Sequence, residues 1–149
     1  MATIYSVQAL STGSGRDGHV STDDGIVDFE MRAPKGLGGS GDGFNPEQLF
    51  AAGYAACFHS ALLTVARKHK VKIEGSTVQA TIDLINPAPE SYGLAAQLVV
   101  ALPSLSAEQA RQFAEEAHQI CPYSNATRGN IEVTLEVIHG SDLALEPVA

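Results

Sequence analysis

The residues of this chain best suited to chemistry are two cysteines, Cys57 and Cys121. A cysteine thiolate is a strong nucleophile, and a second thiol can close a disulfide on an oxidised sulfur. Two cysteines are too few for a disulfide-dense secreted domain, and a structural zinc site typically needs four ligands. The count alone leaves three interpretations open: buried structural cysteines, a regulatory disulfide, or a redox-catalytic pair.

The surroundings of Cys57 decide whether its thiol can react. Cys57 lies in the middle of a predicted helix among apolar residues, and burial there would raise the pKa of the thiol. His59 is the nearest histidine in sequence, but two residues turn a helix by about 200°, so its side chain points away. By the same geometry, Glu47 and Tyr54 lie on roughly the Cys57 side of the helix.

A cation is therefore needed, and Arg16 is the candidate. A carboxylate such as Glu47 would by itself make a nearby thiolate less stable, but it can hold a cation in place. Arg16 lies in a glycine-rich turn, and a guanidinium stays charged while facing a carboxylate and a thiolate together. The alternative is that Arg16 is an ordinary solvated turn residue.

Cys121 lies at the predicted end of a helix, directly before Pro122. Such a site can move more easily than a mid-helix position, which suits a resolving thiol. His118 and Cys121, taken with Cys57 and His59, also resemble the ligands of a metal site. Because His59 and Cys57 diverge, one ligand would be lost, and no metal is predicted.

The element that must position Cys57 is a long helix, predicted from Leu49 to about Lys70. The segment 45–48, Asn-Pro-Glu-Gln, places a capping Asn, a first-turn proline and an acid at its start. Apolar residues cover most of its circumference, so we expect a central helix, with Gly75 as its stop.

The other elements are predicted from alternation, capping boxes and turn residues. Their order favours an α+β domain with antiparallel sheets around the long helix. The predicted strands cover 4–10, 20–22, 26–31, 78–84, 92–102 and 131–138, the second helix covers 106–120, and the loops cover 11–18, 34–44, 86–91 and 123–130.

The composition excludes several classes of protein. A length of 149 residues with 44% hydrophobic residues fits one domain over 1–149 with a real core. The net charge of -8 argues against a nucleic-acid surface, and the basic run 67–72 is interpreted as a helix end. No stretch approaches a membrane span of roughly 20 apolar residues, and no secretory signal is supported. We expect a cytoplasmic protein with no membrane partner.

Two long segments resemble a known family. Residues 45–58, NPEQLFAAGYAACF, and 121–131, CPYSNATRGNI, are similar to the two signature segments of the organic hydroperoxide resistance (Ohr) proteins. These belong to the wider Ohr/OsmC superfamily. The resemblance extends over essentially the whole chain, including 15–18 and the glycine-rich loop, and CPYSNATRGN favours the Ohr branch over the OsmC branch.

The resemblance implies an activity and a set of roles. Ohr proteins are thiol peroxidases without metal, haem or flavin, so no cofactor is expected. Cys57 matches the peroxidatic cysteine and Cys121 the resolving one, while Arg16 matches the activating arginine and Glu47 its acidic partner. The family implies an OsmC-like fold, an intertwined homodimer with active sites at the subunit interface, and lipoyl groups as the reductant.

An apolar surround for Cys57 would favour alkyl or lipid hydroperoxides over hydrogen peroxide. The candidates for this pocket are Leu37, Phe44, Phe50, Tyr54 and Tyr123. Three alternatives stay open: an OsmC-type peroxidase of broader substrate range, a non-catalytic thiol redox sensor, and a structural protein with inert buried thiols.

Overall fold

The computed structural model of the chain describes residues 1–140, which fall into two compact units. The first unit is Met1–Leu49, and the second begins at Phe50. A single domain over 1–149 stays a prediction.

The first unit contains a three-stranded antiparallel sheet in the order β1-β2-β3. The strands are β1 (Ala9–Thr12), β2 (His19–Thr22) and β3 (Asp28–Glu30), and the predicted hairpin turn joins the last two. The prediction of strand at 4–8 was wrong. Ala9 pairs with Thr22, the last residue of β2, so the residues before Ala9 have no strand residue of β2 opposite them.

Helix α1 spans Pro46–Lys68 and begins as predicted. The Asn45 side-chain oxygen accepts from the Gln48 N–H, and the Gln48 side-chain oxygen accepts from the Asn45 N–H, both at 2.9 Å. This reciprocal capping box satisfies two donors at the helix start. Gly75 is not the stop that was predicted, because Lys70 already adopts a left-handed backbone at φ 57°.

The second unit contains another three-stranded sheet, with the order β4-β5-β6. Its elements are β4 (Thr77–Ile85), β5 (Gly93–Leu102), α2 (Ala107–Ile120), α3 (Pro122–Thr127) and β6 (Glu132–His139). β4 and β5 are antiparallel, but β5 and β6 are parallel, which differs from the antiparallel prediction. The reason is that α2 and α3 form a crossover between them, which returns the chain in the same direction.

Helix α3 corrects another prediction, that residues 123–130 form a loop. Cys121 has extended backbone angles and caps the helix, and Pro122 occupies its first turn. Proline is well suited to this position because its missing N–H would have no partner there. The Cys-Pro step therefore ends one helix and also begins the next.

The core of the second unit is formed by α1, β5 and α2. Phe58 and Leu62 of α1 and Leu98 of β5 have no exposed surface. Alternate residues of β5 face this core, as expected for a strand covered on one side. The α+β fold class is thus confirmed, with α1 contributing one long face of core residues.

Helix α1 also bears on the expectation that no stretch could span a membrane. It has 23 residues and an 18-residue window of mean hydropathy 1.6, so it is long and apolar enough by those two measures. The buried helix of a globular core meets the same measures. The absence of a membrane partner stays a prediction.

Candidate active site: a thiol pair and an ion pair

The two cysteines lie side by side in the second unit. Their sulfur atoms are 3.6 Å apart, and both are free thiols. Cys121 is completely buried, whereas Cys57 is partly exposed. A disulfide bond is about 2.05 Å long, so the sulfurs need to approach by only about 1.5 Å to form one.

The backbone holds the two sulfurs in different ways. Cys57 is in the middle of α1, where hydrogen bonds of the helix fix the chain on both sides. Cys121 is the residue between α2 and α3, with φ -65° and ψ 122°. Its N–H still donates to Ala117 O, and its carbonyl accepts from Asn125 N–H, each at 2.9 Å. Cys121 is therefore a joint between two helices, not part of either.

The pKa of the Cys57 thiol is raised above its ordinary value, mainly because the group is desolvated by burial. The backbone N–H of Tyr123 lowers the pKa, and the neighbouring thiol of Cys121 raises it. A thiol with a raised pKa is mostly protonated at neutral pH and reacts slowly. The surroundings of Cys57 in its own unit therefore favour the protonated thiol.

An arginine–carboxylate ion pair lies in the first unit. Arg16 Nη1 donates to Glu47 Oε2 at 2.8 Å, and Arg16 Nη2 donates to Glu47 Oε1 at 2.7 Å. This two-bond geometry is the strongest form of such a pair. The bonds from Arg16 hold the pKa of Glu47 below its ordinary value, although partial burial opposes the effect. The predicted pairing of these two residues is present.

The turn that carries Arg16 is held by its neighbours. Arg16 is the middle residue of a single 3-10 turn, Gly15–Asp17, and the Asp17 carboxylate accepts from the Ala33 N–H at 3.1 Å. Gly18 follows the turn, and a Cβ there would overlap the carbonyl oxygen of Thr12. This close approach of two backbones requires glycine. The guanidinium is thus presented from a tight, fixed turn.

The five candidate pocket residues fall into two groups. Phe50, Tyr54 and Tyr123 form one aromatic cluster in the second unit, with ring centres 5.7 to 6.1 Å apart. Leu37 and Phe44 belong to the first unit, are about half exposed, and Phe44 stacks on Phe29. Tyr54 is fully buried, so its ring is part of the core.

A glycine on α1 makes room for Tyr123. A Cβ at Gly53 would lie 2.7 Å from the Tyr123 hydroxyl oxygen and 3.2 Å from the ring. Gly53 precedes Cys57 by one helical turn, so both lie on the same side of α1. The small residue lets the Tyr123 ring lie against α1, one helical turn before Cys57.

A buried hydroxyl network lies next to Cys121, and no sequence pattern pointed to it. The Tyr54 hydroxyl lies 3.1 Å from Ser124 Oγ and 3.2 Å from Thr127 Oγ1, and His118 Nδ1 lies 2.9 Å from Ser124 Oγ. The pKa of His118 is lowered mainly by burial and further by the charge of Arg128, which favours the neutral ring. Recognising Cys121-Pro122 as a helix start would have placed Ser124 and Thr127 on one helix.

Other sequence candidates do not join the thiols. His59 Nε2 contacts Ser76 Oγ at 3.0 Å, in line with the expectation that its ring points away from Cys57. Within residues 1–140 no group of three histidine, cysteine or acidic side chains is arranged to hold a metal ion.

Comparison with known proteins gives a consistent result. The OsmC-like protein family model matches residues 39–136. The organic hydroperoxide resistance protein of Xanthomonas axonopodis is 44% identical over 133 residues, covering 89% of this chain and 93% of the relative.

Two crystal structures extend the likeness to the fold. The organic hydroperoxide resistance protein of Elizabethkingia anophelis is 49% identical, with a TM-score of 0.89, covering 94% of this chain and 100% of that one. OhrB of Bacillus subtilis is 39% identical, with a TM-score of 0.81, covering 91% and 99%. The chain described here therefore belongs to the OsmC-like family, in its organic hydroperoxide resistance branch.

Proposed function

We propose that this protein is a thiol peroxidase that reduces organic hydroperoxides to alcohols, with Cys57 as the attacking residue and Cys121 as the resolving one. The observation that carries the proposal is the pair of free sulfurs 3.6 Å apart. A partly exposed thiol beside a buried one suits a cycle in which the exposed thiol reacts with the peroxide. The buried thiol then forms a disulfide with the oxidised sulfur. The names of its relatives point to the same substrate class.

The cycle consumes one peroxide and forms one disulfide. The Cys57 thiolate attacks the outer peroxide oxygen, the O–O bond breaks, and the departing alkoxide takes a proton to become an alcohol. The sulfur is left as a sulfenic acid. The Cys121 sulfur then attacks the Cys57 sulfur, the S–OH bond breaks, and the hydroxide leaves as water with the Cys121 proton. A dithiol reduces the disulfide by exchange.

Arg16 supplies the positive charge that the thiolate needs in this cycle. A cation lowers the pKa of a nearby thiol and also stabilises a departing alkoxide. Glu47 holds the guanidinium by two hydrogen bonds, which fixes its direction. Without such a cation, the raised pKa of Cys57 would leave little thiolate at neutral pH.

We infer that this arginine comes from a second copy of the chain. A helix rises about 1.5 Å per residue, so the backbones of Glu47 and Cys57 are about 15 Å apart along α1. Helical side chains also tilt toward the N-terminus, which directs the Glu47 carboxylate away from Cys57. A homodimer in which Arg16 of one subunit faces Cys57 of the other fits this spacing.

The substrate and reductant follow from the chemistry of the site. The rings of Phe50 and Tyr123 pack together, and the backbone N–H of Tyr123 reaches the Cys57 thiol, so the substrate class that fits is alkyl or lipid hydroperoxides in preference to hydrogen peroxide. The reductant is a dithiol of the lipoyl class, such as dihydrolipoamide or a lipoylated protein, and the cycle uses no cofactor. The protein acts in the cytoplasm, without nucleic-acid or membrane partners.

The decisive experiment is a turnover assay with tert-butyl hydroperoxide and dihydrolipoamide. We expect many turnovers per subunit and a much lower efficiency with hydrogen peroxide. Oxidation that stops after one equivalent would favour a redox sensor, and turnover with thioredoxin but none with dihydrolipoamide would favour an OsmC-type enzyme. Equal use of both peroxides would contradict the proposed substrate preference.

Mixing two inactive variants tests the origin of the arginine. Arg16→Ala keeps Cys57 but lacks the cation, and Cys57→Ser keeps the cation but lacks the thiol. If the arginine acts across subunits, mixed dimers contain one complete site, so mixing and re-equilibrating the two variants restores activity. No recovery after verified subunit exchange would mean that Arg16 acts within its own chain.

A further inference from the structure

The network of hydroxyl groups next to Cys121 has no part in the cycle described above. It lies within the second unit and contacts three helices. Ser124 is its centre, since its hydroxyl contacts both the Tyr54 hydroxyl of α1 and the His118 ring of α2. Ser124 and Tyr54 are completely buried, so neither can exchange these contacts for water.

We propose that Ser124 is a positioning residue for the resolving step: by joining α1 and α2 to α3, it holds the Cys121 sulfur opposite the Cys57 sulfur. The proposal rests on the peroxidase function proposed above. It assigns to Ser124 no contact with the peroxide and no proton transfer. Its effect is on the position of the joint at Cys121.

The position of the network on either side of this joint carries the argument. His118 is one turn before Cys121 on α2, and Ser124 is one turn after it on α3. Their contact at 2.9 Å therefore bridges the joint directly. A second contact also joins α2 to the end of α3, because Arg128 Nη2 donates to the His118 carbonyl at 2.7 Å.

The third connection ties the joint to the helix of the attacking cysteine. Tyr54 lies three residues before Cys57 on α1, and residues at this spacing share a helical face. Its hydroxyl contacts Ser124 and also Thr127, whose own hydroxyl donates to the Ser124 carbonyl at 3.2 Å. These contacts hold the backbone at Cys121 in a fixed position relative to the backbone at Cys57.

Such a brace matters because the resolving step competes with a second oxidation. The sulfenic acid at Cys57 either meets Cys121 and forms a disulfide, or meets another peroxide and becomes a sulfinic acid. An intramolecular thiol wins when it is held close and in the correct orientation. Loosening the joint spreads Cys121 over more positions and so favours overoxidation.

The test is the Ser124→Ala variant, with Ser60→Ala as its matched control. The Ser60 hydroxyl is exposed and donates to Ala56 of its own helix. After a single addition of tert-butyl hydroperoxide, acid quenching and mass spectrometry measure the rate of Cys57 oxidation and the rate of disulfide closure. We expect Ser124→Ala to slow closure roughly fivefold, the factor for about one hydrogen bond, with the first oxidation unchanged. Sulfinic acid should accumulate at correspondingly lower peroxide concentration, and Ser60→Ala should match the parent.

Three results would overturn the proposal. They are an unchanged closure rate, a faster closure rate, and an equal slowing of both the first oxidation and closure. If Ser124→Ala fails to fold, as judged by circular dichroism, Thr127→Val replaces it, because valine keeps the shape and removes the hydroxyl. Slower closure is expected there too, and a parental rate would count against the network.

A readout without peroxide separates this inference from the proposed function. Equilibration in glutathione buffers measures the effective concentration of the Cys121 thiol toward Cys57, and we expect it to fall roughly fivefold in Ser124→Ala. If the parent consumes no peroxide but this shift is found, the peroxidase function fails and the positioning role stands. If the parent turns over peroxide but neither readout changes, the positioning role alone fails.

Discussion

The ion pair of the first unit and the thiol pair of the second are held together by opposite means. Arg16 and Glu47 are charged, partly exposed to water, and joined by two short hydrogen bonds. Cys57 and Cys121 are free thiols, of which Cys121 is buried and Cys57 partly exposed, and their sulfurs are close without being bonded. The ion pair therefore gains its fixed direction from its own hydrogen bonds, whereas the thiol pair depends on the helices around it.

This difference separates two requirements of thiol chemistry. A cation can stabilise a thiolate only if it is held in a suitable orientation, and Glu47 fixes the guanidinium in one orientation. A resolving thiol is useful only if it stays near its target while remaining unreacted, and the joint at Cys121 allows that. The predictions below ask what is lost when each pair is altered.

The largest effect is expected from removing the sulfur of Cys57, the proposed attacking residue. Cys57→Ser should abolish peroxide turnover, because a serine hydroxyl at this site has neither the acidity nor the nucleophilicity of a thiol. The assay is the consumption of tert-butyl hydroperoxide with dihydrolipoamide. The thermal stability should be close to that of the parent, and any turnover above background would remove Cys57 from its role.

Removing the charge should have the next largest effect. Arg16→Ala should raise the pKa of Cys57 and lower the rate of its oxidation at pH 7 about 100-fold, the loss usual for one charge-stabilising donor. The pH dependence of thiol alkylation reports the pKa. Arg16→Lys keeps the charge but not the two-bond geometry. Its Cys57 pKa and oxidation rate should fall between those of the parent and those of Arg16→Ala. An unchanged pKa in Arg16→Ala would contradict the activating role.

Removing the sulfur of Cys121, the proposed resolving residue, should leave the rate of the first oxidation unchanged and lower the steady-state turnover of peroxide. Cys121→Ser should react once with peroxide at nearly the parental rate, since the thiol of Cys57 and the positive charge of Arg16 are both retained. Its sulfenic acid should then proceed to sulfinic acid as peroxide is raised. Mass spectrometry of the quenched protein distinguishes these states. Parental steady-state turnover would show that Cys121 is not the resolving residue.

The smallest effect is expected on stability. The pKa of Glu47 is lowered in the folded chain, so its ion pair stabilises the fold above the unfolded pKa of about 4.3 and loses that contribution as the pH falls. Because Arg16 is 38% exposed, solvent screening limits the contribution to about 1 kcal/mol or less. Glu47→Gln should therefore be slightly less stable than the parent at pH 7, and the difference should shrink at pH 3. Urea unfolding at both pH values measures it, and a constant difference would argue against the ion pair.

The same contrast between the pairs explains what could be predicted from the sequence. The start of α1 was predictable because Asn45, Pro46 and Gln48 act locally, through bonds to the first turn. The pairing of Arg16 with Glu47 was predicted from chemistry alone. A carboxylate on the Cys57 side of α1 would disfavour the thiolate unless it held a cation, and Arg16 was the candidate. The distance between the cysteines was not predictable, because it depends on how α1 and α2 pack.

Two further features failed prediction, for different reasons. Helix α3 was interpreted as a loop because Cys121-Pro122 was considered only as a helix end, although proline is equally suited to a helix start. The parallel pairing of β6 depends on the direction in which α2 and α3 return the chain, and alternation along 131–138 carries no information about direction. The helix start was within reach of a local interpretation, whereas the direction of β6 is decided by tertiary structure.

The complete burial of Cys121 has a consequence for how the proposed cycle returns to its start. In a disulfide between two unequally buried sulfurs, an incoming dithiol can collide only with the exposed one. That sulfur belongs to Cys57, so the mixed disulfide with the reductant forms there, and Cys121 is the leaving group. In the proposed cycle the oxidant and the reductant therefore meet the protein at the same atom, the sulfur of Cys57, one after the other.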